Sequence, residues 1–173
     1  SHGHMGKNVW YEESIHIPLY IRQKGRLVPV KYKELVASPD HMPTILGLLN
    51  IPVPDTCQGF NHAPGILGQE NDAPQDAFLC SYPGMPEMVA AFEKQGLNSK
   101  CYGWRGLRTH TYTFVINNGY EPGEKQVKML YNNEEDPYQQ NPIMITELNE
   151  ELAADYEKRL REYLDMQQDP FLM

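Results

Sequence analysis

The first seven residues bring together three side chains that handle charge and protons: His2, His4 and Lys7. A lysine ammonium group stabilises negative charge that develops on an oxygen atom in a transition state. A histidine titrates near neutral pH and can act as a general acid toward a leaving group. The two histidines form an H-x-H pair, but no acidic residue precedes Glu12 to complete a metal-ligand set. These residue types therefore predict anion stabilisation and proton transfer, and no metal site within this chain.

The spacing of this stretch resembles a motif of the sulfatase family, the arylsulfatases and their relatives in the alkaline phosphatase superfamily. In that motif, G-S/D-H-G-x-x-G-K-x-x-x-Y-E-E, the counterparts here are His2-Gly3, Gly6-Lys7 and Tyr11-Glu12-Glu13. The resemblance implies that Lys7 contacts the sulfate or its bridging oxygen. It places His2 at the rim of the site, where it contacts substrate or orients Lys7. The alternatives are a solvated surface lysine at position 7 and an expression-tag remnant over residues 1–5.

Three further patches follow in the order that the family shows. The first patch is residues 40–52, which match D-x-x-P-T-L-L-x-L-x-G-I-P, together with the loop that follows over residues 58–68, which matches Q-G-x-S-L. The second is residues 104–114, which match R-x-V-R-T-x-x-Y-K-Y, and the third is residues 130–138, which match L-Y-D-L-x-x-D-P-x-E. Asn50 stands where the pattern has glycine, and Asn61 stands where it has serine. The resemblance therefore extends over most of the chain, and the order of the patches makes it more specific than any single patch.

The family resemblance implies that this chain is the C-terminal portion of a sulfatase, an enzyme that hydrolyses sulfate esters of aryl or sugar substrates. A larger N-terminal catalytic part is then missing, and it carries the formylglycine nucleophile and a divalent metal, for which calcium is the expected ion. This chain alone is expected to be inactive, because neither Cys101 to Arg105 nor Ser81 to Met85 completes the nucleophile motif C/S-x-P-x-R. A phosphonate or phosphodiester hydrolase of the same superfamily and a non-catalytic interaction module are the alternatives.

Three basic residues on or just before a predicted strand, Arg105, Arg108 and His110, are candidates for binding the substrate beyond its sulfate group. Ion pairing with acidic residues is the alternative role for them. Glu12 and Glu13 are expected to orient the N-terminal loop rather than to react.

The elements that position these residues predict an α/β fold class, more narrowly an α+β fragment. Residues 1–75 are expected to be the C-terminal end of the sulfatase catalytic α/β domain, a strand-and-helix remnant of its sandwich. Residues 76–173 are expected to be a C-terminal subdomain, a small antiparallel sheet with the terminal helix packed across it. The pattern predicts strands over residues 15–22 and 77–80, helices over residues 38–49 and 87–94, a hairpin over residues 108–131, and a final helix capped by Thr146.

Composition excludes some partners. The formal charge of -8 argues against nucleic-acid binding, which needs clustered basic residues. No apolar run reaches the roughly 18 residues of a membrane span. Cys57, Cys80 and Cys101 are expected to be free thiols, with a Cys80–Cys101 bridge as the alternative. Periplasmic or secreted localisation stays open, and apolar surfaces uncovered by the missing part are expected to favour self-association.

Overall fold

The computed structural model describes residues 2–3, 7–146 and 149–172. The chain divides into two compact units, one formed by Pro18–Ala77 and the other by Ser1–Ile17 together with Phe78–Met173. The helices are α1 (Glu12–Ile15), α2 (His41–Leu48), α3 (Ala63–Ile66), α4 (Pro86–Glu93) and α5 (Glu150–Gln167). The strands are β1 (Ala77–Ser81), β2 (Gly103–Arg108), β3 (Tyr112–Gly119) and β4 (Val127–Asn132). The chain thus has the mixed helix-and-strand architecture that the sequence predicts.

A four-stranded sheet in the order β1-β2-β3-β4 is the centre of the larger unit. Strand β3 pairs antiparallel with both β2 and β4. Alternation along β3 sends Phe114 and Ile116 to one face, where they pack with Leu160 and Leu164 of α5 in a buried cluster. Val115 faces the opposite side. The prediction of a terminal helix packed across a small antiparallel sheet is therefore confirmed.

The other face of the sheet is covered by the N-terminal segment, by which we mean residues 7–17. Trp10 packs there in a second buried cluster with Trp104, Val115 and Tyr131. The rings of Trp10 and Trp104 meet edge to face with centroids 5.7 Å apart. Both faces of β3 are therefore buried. Thr113, which lies on the same face as Val115, is buried too, so this face carries no exposed polar residue at that position.

The hairpin prediction misplaced one turn. Arg108 ends β2 and does not begin the next strand, because the chain reverses over residues 109–111. Thr109 closes this turn: its backbone N–H donates to the Tyr112 carbonyl at 2.8 Å, and its hydroxyl accepts from the Tyr112 N–H at 3.0 Å. The regular alternation runs through the turn, so periodicity alone did not reveal it.

Helix α5 begins later than predicted. Asn149 occupies its N-cap position, and Thr146 lies before it, with its backbone N–H donating to the Asn149 side chain. The predicted first-turn residues 147 and 148 lie outside the described residues. At the other end, Gln168 adopts a left-handed conformation with φ of 52°, and the Asp169 N–H bonds back to the Leu164 carbonyl. This helix end places Asp169 directly after the helix.

In the smaller unit, the predicted helix over residues 38–49 is present as a short 3-10 turn, Ser38–Asp40, that continues into α2. The Asp40 carboxylate accepts hydrogen bonds from the backbone N–H groups of Ala37 and Phe60, both at 2.7 Å, and contacts the fully buried ring of His62. Asn50 takes φ of 55° after the helix, a conformation that asparagine tolerates and that explains its place in a glycine position. Asp40 is thus a structural cap.

The strand predicted over residues 15–22 is not formed. In the described part of the chain, residues 16–22 pair with no other strand, and Ile17, Leu19 and Tyr20 are exposed. An extended segment becomes a strand only when a neighbour completes its hydrogen-bond ladder, and the pattern cannot supply that neighbour.

Candidate functional site

The N-terminal segment is held so that Lys7 lies on the surface. The Lys7 carbonyl accepts a hydrogen bond from the Ser14 hydroxyl at 2.7 Å, and the Asn8 carbonyl accepts from the Trp104 ring N–H at 2.9 Å. Trp10 is only 9% exposed, whereas Lys7 is exposed. Within the described residues no carboxylate pairs with the Lys7 ammonium group. The fold therefore fixes the backbone at Lys7 and leaves its charge available to an external anion.

Glu12 ties the same segment to the sheet. Its two carboxylate oxygens accept from Nε and Nη2 of Arg108 at 3.0 and 3.1 Å, a bidentate pair in which both side chains are largely buried. The Glu12 backbone N–H donates to the Gln139 side chain at 2.9 Å. Arg108 is therefore ion-paired in this structure, the arrangement given above as the alternative to substrate binding, and Glu12 joins the N-terminal segment to the sheet.

His2 lies beside this clamp. Its ring stacks on Tyr11 with centroids 3.5 Å apart, and its Nε2 lies 2.8 Å from the Tyr138 carbonyl oxygen. Because a carbonyl can only accept, Nε2 carries a proton, and Nδ1 is the nitrogen that remains for another group. The His2 side chain is 12% exposed. The geometry therefore suits a histidine that shapes the rim of a site.

The loop opposite His2 is anchored by a buried amide. Gln139 is 1% exposed and has φ of 52°, and its Nε2 donates to the Asn133 side-chain oxygen at 3.0 Å. Thr113 donates to the same oxygen at 3.0 Å, so Asn133 Oδ1 accepts two hydrogen bonds, while its buried Nδ2 has no hydrogen-bond partner among the residues that the structure describes. These two amides were not predicted, because an Asn and a Gln in a polar turn give no signal of burial.

Arg105 has a different environment from the one predicted for a substrate-binding residue. It is 1% exposed, and its Nε and Nη2 donate to the Asp169 carboxylate at 2.8 and 3.2 Å. The other N–H groups donate to the carbonyl oxygens of Ser81, Trp104 and Lys100. All five donors of the guanidinium group are used inside the protein, so the structure supports the ion-pairing alternative and leaves no donor for a substrate.

The structure thus brings some of the predicted site residues together and separates others. His2 and Arg108 meet around Glu12 and the loop over residues 133–142. His110 is exposed in the turn between β2 and β3, beside Thr111, whose hydroxyl donates to Glu134 of that loop. His110 is thus accessible in this structure, whereas Arg105 is buried and ion-paired.

No cluster of three metal-ligating side chains occurs in the described residues. His4, one member of the H-x-H pair, lies outside them. The three cysteines are free, and no Cys80–Cys101 bridge is formed. The calcium ion that the resemblance implies is expected in the N-terminal part of a longer protein and not among these residues. A search of the described helices also finds none with the length and apolar character needed to cross a membrane.

Burial changes the acidity of one residue beneath the N-terminal segment. The Tyr131 hydroxyl lies 3.4 Å from the Trp10 ring N–H, which donates to it. Burial raises the pKa of Tyr131 to about 12, against the smaller opposing effect of the Trp10 hydrogen bond. Tyr131 is therefore a neutral core residue and not a proton donor at neutral pH.

Comparison with known proteins gives one family along nearly the whole chain. The model of the family described as "N-sulphoglucosamine sulphohydrolase, C-terminal" matches residues 1–168. An endo-4-O-sulfatase of Bacteroides thetaiotaomicron is 27% identical over 168 residues, which are 95% of this chain and 32% of that protein. An ulvan-active sulfatase of Formosa agariphila is 28% identical over 172 residues, or 92% of this chain and 29% of the relative. The chain therefore spans only about a third of the curated relatives it matches.

Solved structures of sulfatase relatives have the same fold as this chain. A Bacteroides thetaiotaomicron protein from work on the metabolism of multiple glycosaminoglycans superposes with a TM-score of 0.68 at 26% identity, over 86% of this chain and 30% of that one. The phosphonate monoester hydrolase of Agrobacterium radiobacter shares the fold, with a TM-score of 0.61 at 19% identity over 82% of this chain and 27% of its own.

Proposed function

The chain belongs to the N-sulphoglucosamine sulphohydrolase C-terminal family, and from that premise we propose that it is the C-terminal part of a sulfatase acting on sulfate esters of a sugar polymer. The observation that carries the proposal is the anchored N-terminal segment, which presents Lys7 outward while Trp10 and Glu12 fix its backbone. The names of the two curated relatives and the glycosaminoglycan setting of the structural one support a sugar rather than an aryl substrate.

Lys7 is proposed to stabilise the negative charge that develops in this reaction. A sulfate ester is already an anion, and its leaving oxygen gains further negative charge as the bond to sulfur breaks. A positive group held near that oxygen stabilises the transition state more than the ground state. The described residues contain no acidic partner that would neutralise Lys7 beforehand.

His2 is proposed to position Lys7 and the rim rather than to transfer the main proton. Its ring is fixed by the stack on Tyr11 and by the hydrogen bond to Tyr138, and within the described residues Nδ1 is the ring nitrogen without a hydrogen bond, so it is the one proposed to contact a substrate. The formylglycine nucleophile and the metal ion, with the chemistry of attack on sulfur that they supply, are assigned to the N-terminal part of a longer protein.

The smaller unit provides a surface for that part. It exposes more large apolar side chains than it buries: Leu19, Tyr20, Ile21, Val28, Val30, Met42, Ile45, Leu49, Ile51 and Leu67 are exposed. Tyr20 is 91% exposed and Val28 is 76% exposed. Leaving so much apolar surface in water is unfavourable, which supports an N-terminal catalytic part that covers it.

The test begins with the reading frame upstream of Ser1, which is expected to encode C/S-x-P-x-R. The complete protein should release sulfate from a sulfated oligosaccharide, whereas this chain alone should not. Replacing the lysine, Lys7→Ala, should lower kcat about 100- to 1,000-fold, the usual effect of removing one oxyanion-stabilising group. Lys7→Arg should retain part of the activity because it keeps the charge.

Three results would contradict the proposal: sulfate release by this chain alone, full activity of Lys7→Ala in the complete protein, or an upstream frame without the nucleophile motif. Faster turnover of phosphonate esters than of sulfate esters by the complete protein would instead select the phosphonate hydrolase alternative. A soluble partner complex without turnover of either ester would select the non-catalytic module.

A further inference from the structure

We propose that Tyr138 is a specificity-determining residue that stacks on a sugar ring of the substrate beside the sulfate-binding site. The inference rests on the proposed function, because it concerns the substrate of that same site. It adds a contact that the predicted basic residues do not provide, since Arg105 and Arg108 are both occupied by carboxylates.

Among the described aromatic side chains of the larger unit, that of Tyr138 is the most exposed. It is 63% exposed, whereas Trp10, Trp104 and Tyr131 are buried in the sheet cluster and Tyr11 and Tyr120 are partly buried against it. Tyr82, which is also exposed, lies at 5.6 Å under the Arg105 guanidinium group and so has a partner of its own. An exposed tyrosine on an ordered loop offers a ligand an apolar ring face together with a polar tip.

The loop that carries Tyr138 is held in place by hydrogen bonds on both sides of that residue. The next residue, Gln139, is 1% exposed and adopts φ of 52°, a conformation that a glutamine keeps only when its surroundings impose it. Its side chain is bonded at both ends, to the Glu12 N–H and to Asn133. The Asp136 carboxylate also accepts from the Asn141 N–H at 2.7 Å, which closes the loop on the other side of Tyr138.

The same loop is joined to the candidate catalytic residues. The Tyr138 carbonyl accepts the His2 Nε2 proton at 2.8 Å, so the residue that holds the imidazole also carries the exposed ring. Gln139 contacts the residue that clamps Arg108. The Tyr138 backbone is therefore held against the N-terminal segment that also carries Lys7, and a specificity contact requires such positioning.

A sugar ring matches this chemistry. One face of a pyranose presents C–H groups, which pack against an aromatic face, while its hydroxyl groups and sulfate stay in polar surroundings. Tyrosine combines an apolar ring with a polar tip and loses little conformational freedom on binding. An inorganic sulfate ion has no such face, so its binding should not depend on Tyr138.

The experiment uses the complete protein with a sulfated disaccharide as substrate and inorganic sulfate as an inhibitor that probes the sulfate site alone. Tyr138→Ala should raise KM for the disaccharide about tenfold, equivalent to about 1.4 kcal/mol of binding free energy, with little change in kcat. The inhibition constant of inorganic sulfate should not change. Tyr138→Phe should behave like the wild type, and Gln140→Ala, an exposed neighbour on the same loop, is the matched control.

Unchanged KM for the disaccharide in Tyr138→Ala would overturn the inference and leave the proposed function standing. A lower Tm with unchanged KM would show that the ring packs against the rest of the protein instead. Equal weakening of disaccharide and inorganic sulfate would mean that the site had collapsed, which also overturns a stacking role. Absence of sulfate-ester hydrolysis by the wild-type complete protein would remove the proposed function, and the inference with it.

Discussion

The Arg105–Asp169 pair offers a direct test of whether Arg105 is a structural residue or a substrate-binding one. The guanidinium group packs at 4.6 Å over the Phe171 ring and makes hydrogen bonds with all five of its donors. Asp169 is its only described carboxylate partner and is 18% exposed. Replacing the acid, Asp169→Asn, keeps the side-chain size and leaves a buried positive charge without compensation.

The expected loss follows from that burial. Removing one member of a buried ion pair costs about 3–5 kcal/mol, and the partial exposure of Asp169 places this pair near the lower end. For a protein of this size, each kcal/mol lowers Tm by about 2–4 °C, so Asp169→Asn should lower Tm by roughly 6–12 °C. Arg105→Lys should also destabilise, because an ammonium group has three donors and cannot form the bidentate pair.

Thermal unfolding of this chain followed by circular dichroism measures the effect. Arg161→Ala is the control: its pair with Glu157 is on the surface, with Arg161 52% exposed, and such pairs contribute about 0.2–1 kcal/mol. The double variant Arg105→Met with Asp169→Leu should recover part of the loss, because it removes both charges from the interior. A Tm for Asp169→Asn within about 2 °C of the wild type would refute the argument. So would an Arg105→Lys variant of the complete protein with altered KM and unchanged Tm.

Three further outcomes are expected. Glu12→Gln should weaken the ion pair with Arg108, which contributes about 1.5–3 kcal/mol. Amide hydrogen exchange should then accelerate in the N-terminal segment but not in α5. Unchanged exchange rates in the N-terminal segment would contradict the role of this ion pair. Tyr131 has a folded pKa of about 12 against an ordinary value near 10, so its contribution to stability should be complete below pH ~10 and be lost as the pH rises toward ~12. Ultraviolet titration should show a phenolate that forms near pH 12 and that Tyr131→Phe removes; an unchanged titration curve in that variant would contradict the assignment. Light scattering should show self-association of this chain that Val28→Lys reduces; a monomer at high concentration would argue against an uncovered docking surface.

Much of the local structure could be predicted from neighbouring residues. Helix α2 follows a proline-containing start and an apolar spacing of three and four residues, and α4 ends before Gly96, which takes φ of 71°. The alternating residues of β3 indicated a strand with two distinct faces, and both faces proved to be buried. These features depend on backbone preferences and on side-chain periodicity, which act over a few residues.

The roles of the charged residues could not be predicted in the same way. Arg105 and Arg108 are three residues apart in one strand and looked equivalent, yet one pairs with Asp169 and the other with Glu12. Those partners lie 64 and 96 positions away along the chain. Which acid reaches which base depends on where the helix end after α5 and the N-terminal segment meet the sheet, and no local pattern contains that information.

The amino-acid sequence by itself determined the family resemblance, the presence of α2, α4 and α5 and the two faces of the hairpin strands, because motif spacing and periodicity are properties of adjacent residues. The role of Lys7 stays a prediction. Only the tertiary structure decided that Arg105 is enclosed, that Gln139 anchors the loop beside His2, and that Tyr138 presents its ring to solvent. Burial and hydrogen-bond satisfaction are determined by segments that are distant in the chain and close in space, so they emerge only when the whole fold is assembled.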